Sequence, residues 1–168
     1  ILITTLVLMW TLVSCGRSTS SSATEPSQPT TQEPGTTSDD TTTQPKEDDE
    51  LMNKILSLKI GNTEVDVNWL DNDSVTALKK LAKDGLTIEM HMYGGFEQVG
   101  SLGTSITSAD TRITTSPGDI VLYSSNQIVI FYDSNTWAYT KLGHINLSKS
   151  ELTDLLGDGD VTITITLK

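Results

Sequence analysis

The stretch Gly118-Asp-Ile-Val-Leu-Tyr-Ser-Ser-Asn-Gln-Ile-Val-Ile-Phe-Tyr132 decides the fold. Two runs rich in β-branched and aromatic residues flank a short polar break, which is the sequence form of a β-hairpin. With Ser125-Asn126 as a two-residue loop, Tyr123 faces Ile128, Val121 faces Ile130 and Asp119 faces Tyr132. Cross-strand partners share a face, so Leu122, Val129, Ile120 and Phe131 line the opposite one. Both faces are apolar, so the hairpin is expected at the centre of a sheet and covered on both sides.

Working outward, Ile55–Ile60, Gly61-Asn62 and Thr63–Trp69 read as an opening hairpin. Val65, Val67 and Trp69 alternate with Glu64, Asp66 and Asn68, giving one core face and one wet face. A short helix follows, capped by Asp73 or a neighbour, with Val75, Leu78, Leu81 and Ala82 on one side and Gly85 closing it. Leu86–His91 makes the next strand. From Met92 to Gly118 the pattern loosens into a long Gly/Ser/Thr-rich excursion with a short strand near Thr111–Thr115. Trp137–Leu142 forms a strand ending at Gly143. Ser148-Lys-Ser-Glu151 is a capping box opening a second short helix. Gly157-Asp-Gly-Asp160 then turns into Val161–Leu167, the cleanest alternation in the chain. Many strands, two short helices and a last strand able to pair with early ones describe a mainly β, mostly antiparallel small barrel.

The order of these motifs is familiar. Gly118-Asp119-Ile-Val-Leu-Tyr123, Asn126-Gln127-Ile-Val-Ile-Phe-Tyr132 and Trp137-Ala-Tyr139-Thr140-Lys-Leu-Gly143 resemble the bacterial cyclophilin-like domain family. Leu86-Thr-Ile-Glu-Met90 and Gly157-Asp-Gly-Asp160 extend the resemblance over nearly all of residues 55–167. It implies a closed β-barrel of about eight strands with a helix at either end. A shared fold does not carry chemistry by itself. Prolyl isomerases of that fold carry Phe-His-Arg and then Phe-Met-x-Gln-Gly-Gly-Asp, with the arginine stabilising the twisting amide. The nearest look-alike, Met90-His91-Met92-Tyr93-Gly94-Gly95-Phe96, lacks both the arginine and the Gln-Gly-Gly-Asp run. Arg112, the sole arginine after residue 50, is the catalytic candidate only if the chain is an isomerase.

The region before the barrel reads as an address and a tether. Ile1–Val13 is almost wholly apolar and too short to span a bilayer. It is the h-region of a secretory signal, clipped at its start and ending in the lipobox-like Leu12-Val13-Ser14-Cys15-Gly16. Residues 1–15 are therefore expected to be a lipoprotein signal with Cys15 as the lipidation site. Residues 16–50, dominated by Ser, Thr, Pro and Gln and closing in Glu47-Asp48-Asp49-Glu50, are expected to be a disordered linker. Residues 51–168 are the folded domain. The protein is expected in the bacterial cell envelope, extracytoplasmic and held to the membrane by its lipid.

Charge and composition narrow the partners. The chain carries a formal net charge of -11. From residue 51 onward nine Lys and Arg stand against fourteen Asp and Glu, a balance of -5. That disfavours nucleic acid, which needs a basic footprint. One cysteine excludes an internal disulfide and any cysteine-rich zinc site. His91 and His144 are the only histidines, and Asp71/Asp73 and Asp158/Asp160 lack calcium-loop spacing, so neither metal nor other cofactor is expected. No nucleophile elbow, phosphate loop or dinucleotide fingerprint appears.

What remains is an aromatic pocket. Tyr123 and Tyr132 share the predicted face of the hairpin, and Trp137 and Tyr139 share a face of the following strand. A glycine-rich loop carrying Tyr93, Phe96 and Glu97 forms the rim. Phenols and indoles suit a peptide, sugar or small-molecule ligand. The expected function is a monomeric, non-enzymatic binding module at the cell surface. The alternatives are a divergent prolyl isomerase or foldase, or a docking domain for another envelope protein.

Overall fold

The computed structural model describes residues 50–168; the expected signal segment, Cys15 and the linker up to residue 49 lie outside the described residues. Ten strands and two helices follow one another. They are β1 (Leu56–Ile60), β2 (Thr63–Val65), β3 (Val67–Trp69), α1 (Asp73–Leu81), β4 (Leu86–Tyr93), β5 (Glu97–Ser101), β6 (Thr111–Thr114), β7 (Asp119–Tyr123), β8 (Gln127–Phe131), β9 (Thr136–Ile145), α2 (Lys149–Leu156) and β10 (Val161–Leu167). A helical turn at 50–52 precedes them.

Nine strands hydrogen-bond in the order β2-β1-β10-β4-β5-β8-β7-β9-β3, and β6 pairs with the first half of β9. Every pairing is antiparallel. The two ends of this path, β2 and β3, are separated in the chain by Asp66 alone. One extended arm therefore pairs with β1 and then crosses to β9, nearly closing the barrel. The switch is held by Asn146, whose backbone N–H donates to the Asp66 carbonyl at 2.9 Å and whose side-chain amide donates to the Asp66 carboxylate at 2.7 Å. Trp69 Nε1 donates to the Leu56 carbonyl at 3.0 Å, tying β3 back to β1. The mainly β barrel expected from the sequence is thus what forms. It has ten strands where about eight were expected, because this arm splits at Asp66 and because β5 is a strand the sequence conceals.

Two apolar clusters lie on opposite faces of the sheet. The larger joins Leu58, Ile88, Met90, Ile120, Leu122, Ile128, Ile130, Ile163 and Ile165 to Val75, Leu78 and Ala82 of the α1 segment and Leu152 and Leu156 of α2. Each fully buried aliphatic side chain contributes about 1.5–3 kcal/mol. Both helices owe their docking to this contact, since eight or nine residues are too few to be helical alone. Their starts are fixed locally. Asn72 rather than Asp73 caps α1, accepting from Val75 N at 2.9 Å. Ser148 and Glu151 form the expected capping box on α2. The smaller cluster packs Val121, Val129, Phe131 and Tyr139 with Phe96, Val99, Ile113 and Tyr123.

The central hairpin sits between β5 and β9 and is covered on both faces, but its register differs by one residue from the expectation. Tyr123 pairs with Gln127, Leu122 with Ile128, Val121 with Val129 and Ile120 with Ile130. The loop has three residues, and Ser124 and Ser125 both take positive φ, 50° and 63°. A one-residue slip exchanges faces. Tyr132 consequently joins the larger core while Tyr123 joins the smaller cluster, so the two tyrosines do not share a face.

Strand β9 continues past Gly143 to Ile145. A bulge lets Ile120 pair with Gly143 and Val121 with Lys141. Asp119, only 3 % exposed, anchors this junction. Its carboxylate accepts from Ser116 N at 3.0 Å, His144 Nδ1 at 2.8 Å and Lys141 Nζ at 2.9 Å. Burial works to raise its pKa, but the hydrogen bonds from Lys141, His144 and Ser116 outweigh it and hold the carboxyl below its ordinary value.

Candidate functional site

The site is built by register. Alternate residues of a strand share a face, and pairing aligns three rows across the smaller-cluster face. Tyr93 opposes Glu97, which opposes Phe131. His91 opposes Val99, then Val129, then Val121. Ser101 opposes Gln127, which opposes Tyr123. Over this grid the first half of β9, braced by β6, places Trp137 and Tyr139. The result is a cavity of about 530 Å³ lined by residues of β4, β5, β7, β8 and β9, in the size range of small-ligand pockets.

Five expected site residues come together in its lining: Tyr93, Glu97, Tyr123, Trp137 and Tyr139. Phe96 lies beneath the rim, edge-on to Tyr93 at 6.4 Å and stacked on Phe131 at 6.5 Å. Phe131 meets Tyr139 at 5.6 Å, and Tyr139 meets Tyr123 at 5.9 Å. Five rings therefore run in unbroken contact from rim to floor, each pair adding about 0.5–1.5 kcal/mol beyond its area. Tyr132 is not in the lining; it is buried in the larger core, and its hydroxyl has no hydrogen-bond partner among the described residues. Arg112 is exposed on β6, opposite Ala138, and is not in the lining either.

The expected glycine-rich rim loop is a tight turn. Gly94 and Gly95 take φ of 61° and 73°, which joins β4 directly to β5. Strand β5 reverses the usual polarity. Gln98 and Gly100 point to the larger core while Glu97, Val99 and Ser101 face the cavity. Gln98 Nε2 donates to the carbonyls of Leu156 and Gly159 at 2.7 and 2.6 Å, while its Oε1 is buried with no partner among the described residues. Gly100 admits Met90 and Ile88, whose side-chain atoms lie 2.4 and 2.5 Å from where a Cβ would sit. The same Gly157–Asp160 loop is held from outside, where Asp160 accepts from Met92 N at 3.1 Å and pairs with His91 Nδ1 at 2.8 Å. His91, then Met92 N, keep the Asp160 carboxyl below its usual range.

Glu97 dominates the electrostatics. It is 7 % exposed, its Oε2 has no hydrogen-bond partner among the described residues, and burial pushes its pKa up to about 7. Burial, then the Glu97 charge, raises the Tyr139 phenol, which accepts a hydrogen bond from Asn135 Nδ2 at 3.0 Å. His91, Met92, Gln127 and Asn135 also line the cavity and were not anticipated. Nothing in their local sequence marks them; only strand pairing brings them together. Among the described residues no group of three or more His, Cys, Asp or Glu gathers as a metal site.

No curated protein and no solved structure matches the chain. The family model described as the cyclophilin-like family matches residues 58–166, from the middle of β1 to the penultimate residue of β10 and more than half of the chain. The barrel and the match coincide: this chain belongs to the cyclophilin-like family.

Proposed function

We propose that the domain is a non-enzymatic binding module that takes a peptide or small ligand in the aromatic cavity. One observation carries this reading. Of the five large hydrophobic side chains exposed among the described residues, Met92, Tyr93 and Trp137 gather around this one cavity. Clustered apolar exposure marks interaction surfaces, whereas scattered exposure does not. Binding is preferred to prolyl isomerisation because Arg112, the one arginine after residue 50, lies outside the lining. A docking role for a larger partner is less favoured, because the exposed rings rim a concavity rather than a flat patch.

The wider setting belongs to the same proposal. Cys15 at the end of an apolar run would carry lipid, and the polar segment behind it would hold the barrel away from a bacterial membrane. A thermal-shift screen of proline peptides, glycans and metabolites tests the binding role, since a ligand at 100 times its Kd raises stability by about 2.7 kcal/mol. Hits abolished by Trp137→Ala establish the cavity as the site. Hits indifferent to Trp137→Ala place binding elsewhere and overturn it. For the anchor, Cys15→Ser should move the protein from the membrane to the soluble fraction; unchanged membrane association refutes lipidation there.

A further inference from the structure

The cavity combines two features that point to one ligand chemistry. Its walls carry the rings of Tyr93, Tyr123, Trp137 and Tyr139, and its lining includes Glu97 with a buried carboxylate oxygen that has no partner among the described residues. No Lys or Arg is among the lining residues. A buried carboxylate without a partner is costly, and folds retain such groups where something else completes them. Aromatic faces attract cations through their quadrupoles, most strongly where water is excluded. Glu97 and His91 are the only carboxylate and imidazole in the lining, and no third ligand joins them among the described residues, which is too few for a metal ion. An organic cation needs only one counter-charge and apolar walls.

We propose that the cavity receives an alkylammonium or guanidinium group, with Glu97 as its counter-ion and the tyrosine and tryptophan rings as its walls. This rests on the binding role proposed above and names the ligand class of that same site. The group can come from a lysine or arginine side chain of a peptide or from a free amine.

Binding is coupled to protons. Titratable groups share the cavity with Glu97 on the surrounding strands: Tyr93 and His91 on β4, Tyr123 on β7 and Tyr139 on β9. Tyr132, just after β8 in the larger core, is close enough to feel the Glu97 charge. Any charge on His91 is met by Asp160, and Asp133 near the turn is paired with Lys149. Glu97, titrating at about 7, is therefore the group that a cation would drive into its ionised form. A cationic ligand expels close to one proton at pH 6 and few at pH 8, so its affinity falls about tenfold between pH 8 and pH 6.

The test uses the full chain and measures binding of N-acetyl-lysine amide, N-acetyl-arginine amide, a lysine tripeptide, cadaverine and uncharged N-acetyl-norleucine amide by calorimetry at pH 8 and pH 6. The expected result is saturable binding of the cations, weaker by about tenfold at pH 6, with norleucine amide weaker by tenfold or more. Glu97→Gln should weaken the cations by at least tenfold and remove the pH dependence. A lysine tripeptide binding more tightly than cadaverine assigns the cation to a peptide; the reverse assigns a free amine. Norleucine amide binding as well as the lysine compound, and lost in Trp137→Ala, overturns the cation while keeping the cavity as a binding site. Cation affinity unchanged in Glu97→Gln likewise overturns it. Binding by no cationic probe at either pH overturns the cation, while the thermal-shift screen above decides the binding role separately. If Glu97→Gln fails to fold, the norleucine comparison and the pH dependence of the native chain decide.

Discussion

Asp119 and Glu97 are two carboxylates of one sheet, each less than a tenth exposed, and the fold treats them in opposite ways. Asp119 at the start of β7 accepts from a backbone N–H, an imidazole and an ammonium group, and its pKa is lowered. Glu97 at the start of β5 has an oxygen with no partner among the described residues, and burial raises its pKa to about 7. Asp119 holds strands together. Glu97 destabilises the fold whenever it is charged, and it does so in the wall of a cavity edged by exposed aromatic rings. The contrast separates a charge the structure uses from one it keeps available, which is where perturbed groups tend to mark function.

The largest expected effect breaks the satisfied side of the pair. Asp119→Ala removes the acceptor of three donors and should cost about 3 kcal/mol in urea denaturation at pH 7. A loss under about 1 kcal/mol would mean that Lys141 and His144 find equivalent partners in solvent.

Next comes the opposite sign at the other carboxylate. Because Glu97 binds its proton more tightly folded than unfolded, its contribution is fully present below about pH 4.5 and is lost as pH rises to about 7. Glu97→Gln should therefore stabilise by about 2 kcal/mol at pH 8 and by less than about 1 kcal/mol at pH 5. Asp119 runs the other way: with its folded pKa lowered, its stabilisation is present above the ordinary carboxylate value of 3.8 and is lost as pH falls below it. Equal urea midpoints for Glu97→Gln and the native chain at pH 8 would show that Glu97 is solvated.

Trp137→Ala sharpens the functional half. Trp137 is 54 % exposed, so the change should cost less than about 0.5 kcal/mol while abolishing ligand-induced thermal shifts. The smallest effect is at Tyr132→Phe. Its hydroxyl is buried without a partner and lies outside the cavity, so stability should hold within about 0.5 kcal/mol and ligand affinity should not move. A tenfold loss of affinity would return Tyr132 to the site.

Much of the barrel is legible in the sequence, and the reasons are local. Ile163 and Ile165 alternate with Thr162, Thr164 and Thr166, and the alternation survives as β10, paired to β1 and β4. Ser148 and Glu151 announce α2 because a capping box is a contact between residues three apart. What the sequence hides is non-local. Strand β5 turns a glutamine and a glycine inward, a choice made sensible only by the Leu156 and Gly159 carbonyls and the bulk of Met90. The hairpin register depends on two serines at positive φ, a conformation Asn and Gly would have signalled. That one-residue slip also divides the expected site. Trp137 and Tyr139, two apart on one strand, are correctly placed together, whereas Tyr123 and Tyr132 depend on pairing and separate. The sequence places Glu97 in a rim loop, but the absence of any lysine or arginine from the described lining around it becomes visible only when the strands are in place.

The most direct test of the account is the titration of the Glu97 side-chain carboxyl, followed by its carbon-13 chemical shift with and without N-acetyl-lysine amide. The account predicts a midpoint near 7 in the free protein that moves down by at least one pH unit when the ligand is bound. A midpoint near the ordinary value of 4.5, unmoved by the lysine compound, would contradict it.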